Sequence, residues 1–198
     1  TVGGNLGTPF ISLLDQERVE YRVLEISSFQ MEATHSFHPK IAIVLNITPD
    51  HLDRHESFEQ YAGLKEKIYA NQTKKDFLIL NQDDPSAHAL GKNCPAKQIR
   101  FSVESPLEYG VYVQNGKIFA SIDEFEGEIF ALSALSRGLL WQVENVLPAV
   151  ATALLLGIPL ESIQNVLGSF TGLEHRLEWV CNRDGVDFIN DSKGTNVG

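Results

Sequence analysis

Cysteine is scarce in this chain of 198 residues, which contains only Cys94 and Cys181. The two cysteines lie far apart, and neither belongs to a CxxC pair. The sequence therefore predicts neither a disulfide framework nor a zinc knuckle. Because so few cysteines are typical of a reducing compartment, we expect a cytoplasmic protein.

Long apolar runs are also missing. The most apolar stretch, residues 146–160, is shorter than the roughly 20 residues that a membrane-spanning helix needs. It is interrupted by Pro148, Gly157 and Pro159 as well, so we expect no membrane segment. The chain begins with the letters TVGG, without an initiator methionine or a signal-peptide pattern, which indicates a piece of a longer protein.

Basic residues are few relative to acidic ones. The 16 Lys and Arg residues against 26 Asp and Glu residues leave a net charge of -10 at pH 7. Binding to nucleic acid needs clusters of Lys and Arg that neutralise phosphates, and the sequence contains none. We therefore expect no nucleic-acid partner, although isolated phosphate sites are compatible with this charge. An apolar content of 43% is ample for a packed core.

Short apolar runs alternate with helical stretches over the first half of the chain. This alternation predicts an α/β fold, with a doubly wound, mostly parallel sheet and flanking helices. The predicted buried strands are residues 21–26, 41–47, 77–81 and 98–103.

The pattern changes to short β-like pieces between residues 109 and 135. There Asn115-Gly116 is a two-residue hairpin signal, so we predict a small antiparallel β insert. Two helices should follow, ended by Gly157 and Gly168, and then a strand. They are predicted at residues 143–156, 159–167 and 186–190. We expect residues 1–172 to form one domain and residues 173–198 to begin another.

Four potential metal ligands follow the second predicted strand: Asp50, His51, Asp53 and His55. Open α/β sheets bind ligands beyond the carboxyl ends of their strands, and carboxylates and imidazoles bind divalent metals. A plain turn with a capping aspartate would show the same residues. A metal-dependent hydrolase that uses His51, Asp53 and His55 to activate water is one functional interpretation.

An apolar stripe at helical spacing runs through Phe58, Tyr61, Ala62, Ile68 and Tyr69. Lys65 falls in its middle. Such a lysine either extends along the apolar surface and keeps its amine in water at the edge of that surface, or it is desolvated. Because burial disfavours the charged form and lowers the pKa of an amine, a desolvated lysine is available to pair, attack or be modified.

Three other segments carry polar groups at turns. Glu25 ends a predicted strand and is interpreted as a metal ligand. The alternative is that it belongs to the N-cap region of a helix around residues 28–35, a role that Ser28 could fill without it. Residues 3–7, GGNLG, lack the GxxxxGK[ST] phosphate loop, so a plain turn is the default there. Residues 190–196, NDSKGTN, could bind ribose hydroxyls and phosphates through their acid, hydroxyl and lysine groups. An ordinary Asx turn would show the same composition.

Taken together and in this order, these segments resemble the Mur ligase family. The resemblance is carried by GGNLG (3–7), LEISSFQME (24–32), LNITPDHLDRH (45–55), YAGLK (61–65), GLEHRLE (172–178) and FINDSKGTN (188–196). The SSFQME form is most similar to the members that add D-glutamate.

The resemblance implies an ATP-dependent ligase of peptidoglycan precursor synthesis, and so a role in the cell wall, cell division and cell shape. Such an enzyme joins D-glutamate to UDP-N-acetylmuramoyl-L-alanine through an acyl phosphate formed from ATP. It implies Mg²⁺, or Mn²⁺ in its place, and a cytoplasmic monomer that acts on small molecules.

The resemblance also assigns roles to residues, position by position. Glu25 matches the ligand of the ATP-associated magnesium, while His51 and Lys65 match a second metal site in which the lysine is carbamylated; these three are the predicted catalytic residues. Carbamylation requires a neutral amine, in agreement with a lysine on an apolar face. The residues that match contacts to the UDP-muramoyl substrate are Asn5, Ser27, Gln30 and His51. The residues that match positions on the nucleotide-binding side of the family's site are Asn145, His175, Arg176, Asp191, Lys193 and Thr195.

The chain departs from the family pattern in two ways. Where the family usually shows Gly-x-His-Asn-x-x-Asn, residues 138–145 of this chain read Gly-Leu-Leu-Trp-Gln-Val-Glu-Asn, so Trp141 and Gln142 stand in place of the expected histidine and asparagine. The phosphate loop, the UDP-binding domain and most of the carboxyl-terminal domain are absent from the sequence, so we expect these 198 residues alone to be inactive. A non-catalytic scaffold domain is the alternative from another class, and the joint presence of the three predicted catalytic residues argues against it.

Overall fold

Short segments with buried apolar side chains form the strands of the main sheet. The computed structural model describes residues 1–5, 7–14, 19–48 and 57–194. Contacts between backbones divide the chain into two units. The first comprises Thr1–Pro39 and Pro49–Gln72, and the second comprises Lys40–Thr48 and Thr73–Gly198.

The second unit contains a six-stranded sheet with its strands in chain order. They are β3 (Ile41–Val44), β4 (Phe77–Asn81), β5 (Lys97–Ser102), β6 (Gly110–Gln114), β7 (Lys117–Ile122) and β8 (Phe125–Ala131). From β3 to β6 neighbouring strands are parallel, whereas β6, β7 and β8 are antiparallel. The predicted α/β class, with its mostly parallel sheet and antiparallel insert, is confirmed.

The hairpin signal at Asn115-Gly116 is also confirmed. Both residues have positive φ, 50° and 73°, as a two-residue turn of type I′ requires. The turn joins β6 to β7.

Helices α4 (Pro85–Ala89), α5 (Arg137–Leu140), α6 (Val143–Leu155) and α7 (Leu160–Ser169) also belong to this unit. The apolar face of α6, with Val146, Leu147 and Val150, is buried against β4 to β7. The prediction that Gly168 ends the last helix is wrong, because α7 continues to Ser169. Glycine is disfavoured inside a helix by only about 1 kcal/mol relative to alanine, so it need not end one.

The first unit holds a parallel pair of strands, β1 (Val2–Gly4) and β2 (Val23–Glu25). Its helices are α1 (Phe10–Leu13), α2 (Ser28–Glu32) and α3 (Phe58–Glu66), and a 3-10 turn, Lys67–Tyr69, follows α3. None of the helices in the described part of the chain is long and apolar enough to cross a membrane.

Two predicted strands are shorter than expected. The strand predicted at residues 41–47 ends at Val44, and the Ile47 N–H donates to the Asp84 carboxylate at 3.4 Å. The strand predicted at residues 21–26 is confined to Val23–Glu25.

The chain ends in a hairpin of two antiparallel strands, β9 (Glu178–Arg183) and β10 (Val186–Asn190). The strand at residues 186–190 was predicted, but β9 was not. The predicted domain boundary at residue 172 stays a prediction.

Two valines, one on α6 and one on α7, test where the core lies. Val150 is 2% exposed and Val166 is 57% exposed. We expect Val150→Ala to lower the free energy of unfolding by about 2 kcal/mol, because buried methyl groups are lost and a cavity forms. Val166→Ala should change it by less than about 0.5 kcal/mol. Urea denaturation measures both, and equal losses would place the core elsewhere.

Candidate functional site

A carboxylate lies at the carboxyl end of β2, where the sequence predicts one. The Asn5 backbone N–H donates to the Glu25 carbonyl at 2.8 Å, and the Asn5 side-chain amide donates to Glu25 Oε1 at 3.0 Å. Glycine is required beside them at Gly4, because φ is +104° and a Cβ would lie 2.4 Å from the Glu25 carbonyl oxygen. The close strand pair therefore holds Asn5 and Glu25 together.

Ser27 and Gln30, predicted as substrate contacts, form a capping box at the start of α2. Gln30 Oε1 accepts from the Ser27 N–H at 2.9 Å, and Ser27 Oγ accepts from the Gln30 N–H at 3.3 Å. The suggestion that Ser28 caps this helix is wrong, since Ser28 is the first helical residue and is buried. The two side chains thus satisfy backbone groups that a short helix leaves open.

Lys65 lies on α3 and is half-buried. Its Nζ is 5.1 Å from the centroid of the buried Tyr61 ring, an arrangement in which the ring face attracts a cation. The predicted stripe is not one continuous helical face, because α3 ends at Glu66 and Tyr69 belongs to the following 3-10 turn. Lys65 nevertheless has an aromatic neighbour on its own helix.

Lys67 holds the end of α3 against α2. Its Nζ donates to the carbonyls of Met31 and Glu32 at 2.6 Å and 3.0 Å. These carbonyls belong to the end of α2, where a cation also complements the helix dipole. The helix that carries Lys65 is therefore anchored to the helix that begins beside Ser27.

The candidate metal turn with Asp50, His51, Asp53 and His55 lies outside the described residues, as does Thr195. Their roles stay predictions. Among the residues that the structure does describe, no group of three or more His, Cys, Asp or Glu residues could hold a metal ion.

The junction between α5 and α6 links Asn145 and Arg176, two residues that are predicted to contact the nucleotide. Gln142 Nε2 donates to the Gly138 and Arg176 carbonyls, each at 3.3 Å, and Asn145 Nδ2 donates to Gln142 Oε1 at 3.4 Å. Backbone packing is tight here, since a Cβ at Gly138 would lie 2.3 Å from the Thr171 carbonyl. Asn145 is thereby linked through Gln142 to the loop that carries Arg176.

The loop before β9 and the turn after β10 are bound to each other. Asp191 Oδ1 accepts from the Leu177 N–H at 3.1 Å, and the Lys193 N–H donates to the His175 carbonyl at 3.0 Å. Asn190 Nδ2 contacts His175 Nδ1 at 2.9 Å. The predicted residues His175, Asp191 and Lys193 are therefore neighbours.

One contact in this region could not be found from sequence. The Arg137 guanidinium lies 4.3 Å from the centroid of the Trp179 ring. Trp179 Nε1 donates to Asp187 Oδ1 at 3.0 Å. Hydrogen bonds, first from Asn182 and then from Trp179, together with the charge of Arg137, lower the pKa of the Asp187 carboxyl. No local pattern pairs an arginine before α6 with a tryptophan on β9.

A mostly parallel sheet with flanking helices and an antiparallel extension defines an α/β domain, a class whose members bind ligands beyond the carboxyl ends of their strands. Residues 3–153 match the Mur ligase middle domain, and the chain belongs to the Mur ligase family. It is 47% identical, over 99% of its length, to the UDP-N-acetylmuramoylalanine–D-glutamate ligase of Acidobacterium capsulatum. It is 42% identical over 98% of its length to the protein of that name from Clostridioides difficile. The chain spans 43% of the length of each of these relatives.

Solved structures share the fold. A pseudomurein peptide ligase type C from Methanothermus fervidus matches 86% of this chain and 43% of its own, with a TM-score of 0.60 and 20% identity. MurF from Acinetobacter baumannii matches 86% of this chain and 38% of its own, with a TM-score of 0.58 and 20% identity. At this identity the likeness concerns the fold alone.

The capping role of Ser27 can be measured. We expect Ser27→Ala to lower the free energy of unfolding by about 1 kcal/mol, because the Gln30 N–H loses its acceptor. Ser27→Asn, which keeps a side-chain oxygen at the cap, should cost only a few tenths of a kcal/mol. Urea denaturation compares them. Asparagine as damaging as alanine would show that the cap does not explain the effect.

Proposed function

We propose that the full-length protein that contains this chain is an ATP-dependent ligase that joins D-glutamate to UDP-N-acetylmuramoyl-L-alanine. The observation that carries the proposal is the 40–47% identity to proteins named for this reaction, over 98–99% of the chain. Because the chain spans less than half of those proteins, the activity is proposed for the whole protein. It would act in the cytoplasm, as a monomer, on small molecules.

The reaction has two steps. The muramoyl-alanine carboxylate attacks the γ-phosphorus of ATP, so an acyl phosphate forms and ADP leaves. The D-glutamate amine then attacks the acyl carbon, the amide bond forms, inorganic phosphate leaves and the amine gives up a proton. Positioning and charge neutralisation account for most of the catalysis of phosphoryl transfer.

Glu25 fits the role of a Mg²⁺ ligand. Its carboxylate is exposed, and Asn5 fixes Oε1, while Oε2 makes no hydrogen bond to the described residues. Mg²⁺ is commonly held by one or two carboxylates, with water and phosphate oxygens filling the other positions, so a lone carboxylate suits it. Bound Mg²⁺, or Mn²⁺ in its place, would supply charge stabilisation for the transferring phosphoryl group.

Lys65 fits the role of a carbamylated lysine together with His51. Carbamylation would convert its amine into an anionic oxygen ligand, which hard cations prefer. The anchoring of α3 by Lys67 supports this role, because a metal ligand needs a fixed backbone. Asn5, Ser27, Gln30 and His51 are the proposed contacts to the UDP-muramoyl substrate.

The residues of the second unit would bind ATP. Arg176 and Lys193 are exposed cations that suit phosphate oxygens, and Asp191 suits the ribose hydroxyls. Asn145, His175 and Thr195 complete the proposed nucleotide contacts. The hydrogen bonds between the loop before β9 and the turn after β10 would hold these side chains ready for the ligand.

The reaction itself is tested with the full-length protein. We expect phosphate release only when ATP, Mg²⁺, UDP-N-acetylmuramoyl-L-alanine and D-glutamate are all present, because the acyl phosphate is consumed by the amine. A coupled phosphate assay with each component omitted in turn measures this. Turnover without D-glutamate would contradict the proposal, as would turnover with another amino acid in its place.

The role of Lys65 is tested by chemical rescue. We expect Lys65→Ala to abolish activity, because an oxygen ligand is lost, and a short carboxylic acid such as acetate to restore part of it. Lys74→Ala, which removes an exposed lysine, is the control and should stay active without acetate. Full activity of Lys65→Ala would refute the role, and loss without rescue would argue against a carboxylate-like ligand.

A further inference from the structure

Side chains that follow Lys65 in sequence donate to the backbone carbonyls of the segment that follows α2. The donors are Lys67, Asn71 and Gln72, and the carbonyls belong to Met31, Glu32, His35, Phe37 and Pro39. All of these residues lie in the first unit. Residues 33–39 form neither helix nor strand, so their carbonyls depend on partners of this kind. We call this set of hydrogen bonds the carbonyl clamp.

The carbonyl clamp holds the segment after α2 at several points. Asn71 Nδ2 donates to the His35 and Phe37 carbonyls, each at 2.9 Å. The buried Gln72 donates through Nε2 to the Pro39 carbonyl at 3.1 Å. Together with the two bonds that reach the end of α2, these contacts fasten the segment along its length to the end of α3 and the residues after it.

Lys67 and Lys65 lie two positions apart and have different surroundings. Lys65 Nζ is 5.1 Å from the Tyr61 ring, one helical turn earlier, whereas Lys67 Nζ binds the end of α2. Lys67 keeps helical backbone, with φ −56° and ψ −19°. Because two positions correspond to about 200° around a helix, the two side chains leave it on different sides. Lys67 therefore fixes α3 from a side that Lys65 does not occupy.

We infer that Lys67 is a positioning residue for Lys65: by clamping α3 to α2, it holds the Lys65 amine in the position in which its carbamate is stable. The inference rests on the proposed function, which gives Lys65 a carbamate. In that modification the neutral amine attacks the carbon of dissolved CO2, the N–C bond forms and the nitrogen gives up a proton. The reaction is reversible, so the occupancy of the carbamate depends on how well the surrounding structure holds it.

The test uses the full-length protein and begins with Lys67→Met, which keeps an unbranched side chain and removes the donors. We expect it to lower kcat about 10- to 100-fold, the range for loss of a group that orients a metal ligand. The KM for ATP should stay unchanged, because the proposed ATP contacts belong to the second unit. Added bicarbonate, as a source of CO2, should restore part of the lost kcat.

Two further lysine variants complete the comparison. Lys67→Arg keeps donors for the carbonyls and should retain most of the activity without added bicarbonate. Lys74→Met, which changes an exposed lysine outside the carbonyl clamp, is the matched control and should behave like the wild type.

Nuclear magnetic resonance gives a readout that does not depend on turnover. Protein equilibrated with ¹³C-labelled bicarbonate should show a carbamate carbon signal in the wild type, in Lys67→Arg and in Lys74→Met. At the same bicarbonate concentration the signal should be weaker in Lys67→Met. It should be absent from Lys65→Ala, which identifies its source. A purely structural role of Lys67 would lower the amount of native protein, and bicarbonate would then restore neither signal nor kcat.

Asn71→Leu removes two bonds of the carbonyl clamp and leaves Lys67 in place. It should show the same dependence on bicarbonate to a smaller extent, and it carries the test if Lys67→Met does not fold. The inference is overturned if Lys67→Met matches the wild type, or if neither bicarbonate nor arginine relieves its loss of kcat. Failure of the proposed function looks different, because then the wild type itself lacks the carbamate signal or D-glutamate-dependent phosphate release.

Discussion

The packing of α6 across the central strands is the contact on which the second unit depends. Val146, Leu147 and Val150 are withdrawn from water against β4 to β7, and they join the parallel part of the sheet to its antiparallel extension. Burial of such a face supplies most of the favourable free energy of folding. It also sets the place where α6 begins, and with it the positions of Gln142 and Asn145.

Hydrogen bonds between segments of the chain shape the candidate site. Gln142 joins the start of α6 to the Arg176 carbonyl, and Asp191 joins the turn after β10 to the loop before β9. In the first unit Asn5 holds Glu25, and Ser27 with Gln30 caps α2. The residues that resemble ligand contacts therefore also shape their own loops, so a substitution there changes structure as well as binding.

Much of the fold could be predicted, because it follows from local pattern. An apolar run indicated the strand at residues 77–81, and Asn115-Gly116 indicated the hairpin, since few residues other than Asn and Gly adopt positive φ readily. The errors concern where elements end. The strand that begins at Ile41 stops at Val44, and beyond it the Ile47 N–H donates to Asp84, far along the chain, while α7 continues through Gly168.

By itself, the sequence determined the α/β class, the antiparallel insert, the family motifs and the presence of Glu25 at a strand end, because periodicity and motif spacing are local properties of the chain. The tertiary structure alone decided that Gln142 is engaged with Arg176, that Arg137 stacks on Trp179, and that Trp141 keeps an exposed face. These contacts depend on which segments, distant in sequence, pack together when apolar surfaces are buried. Local sequence patterns do not show which segments these are.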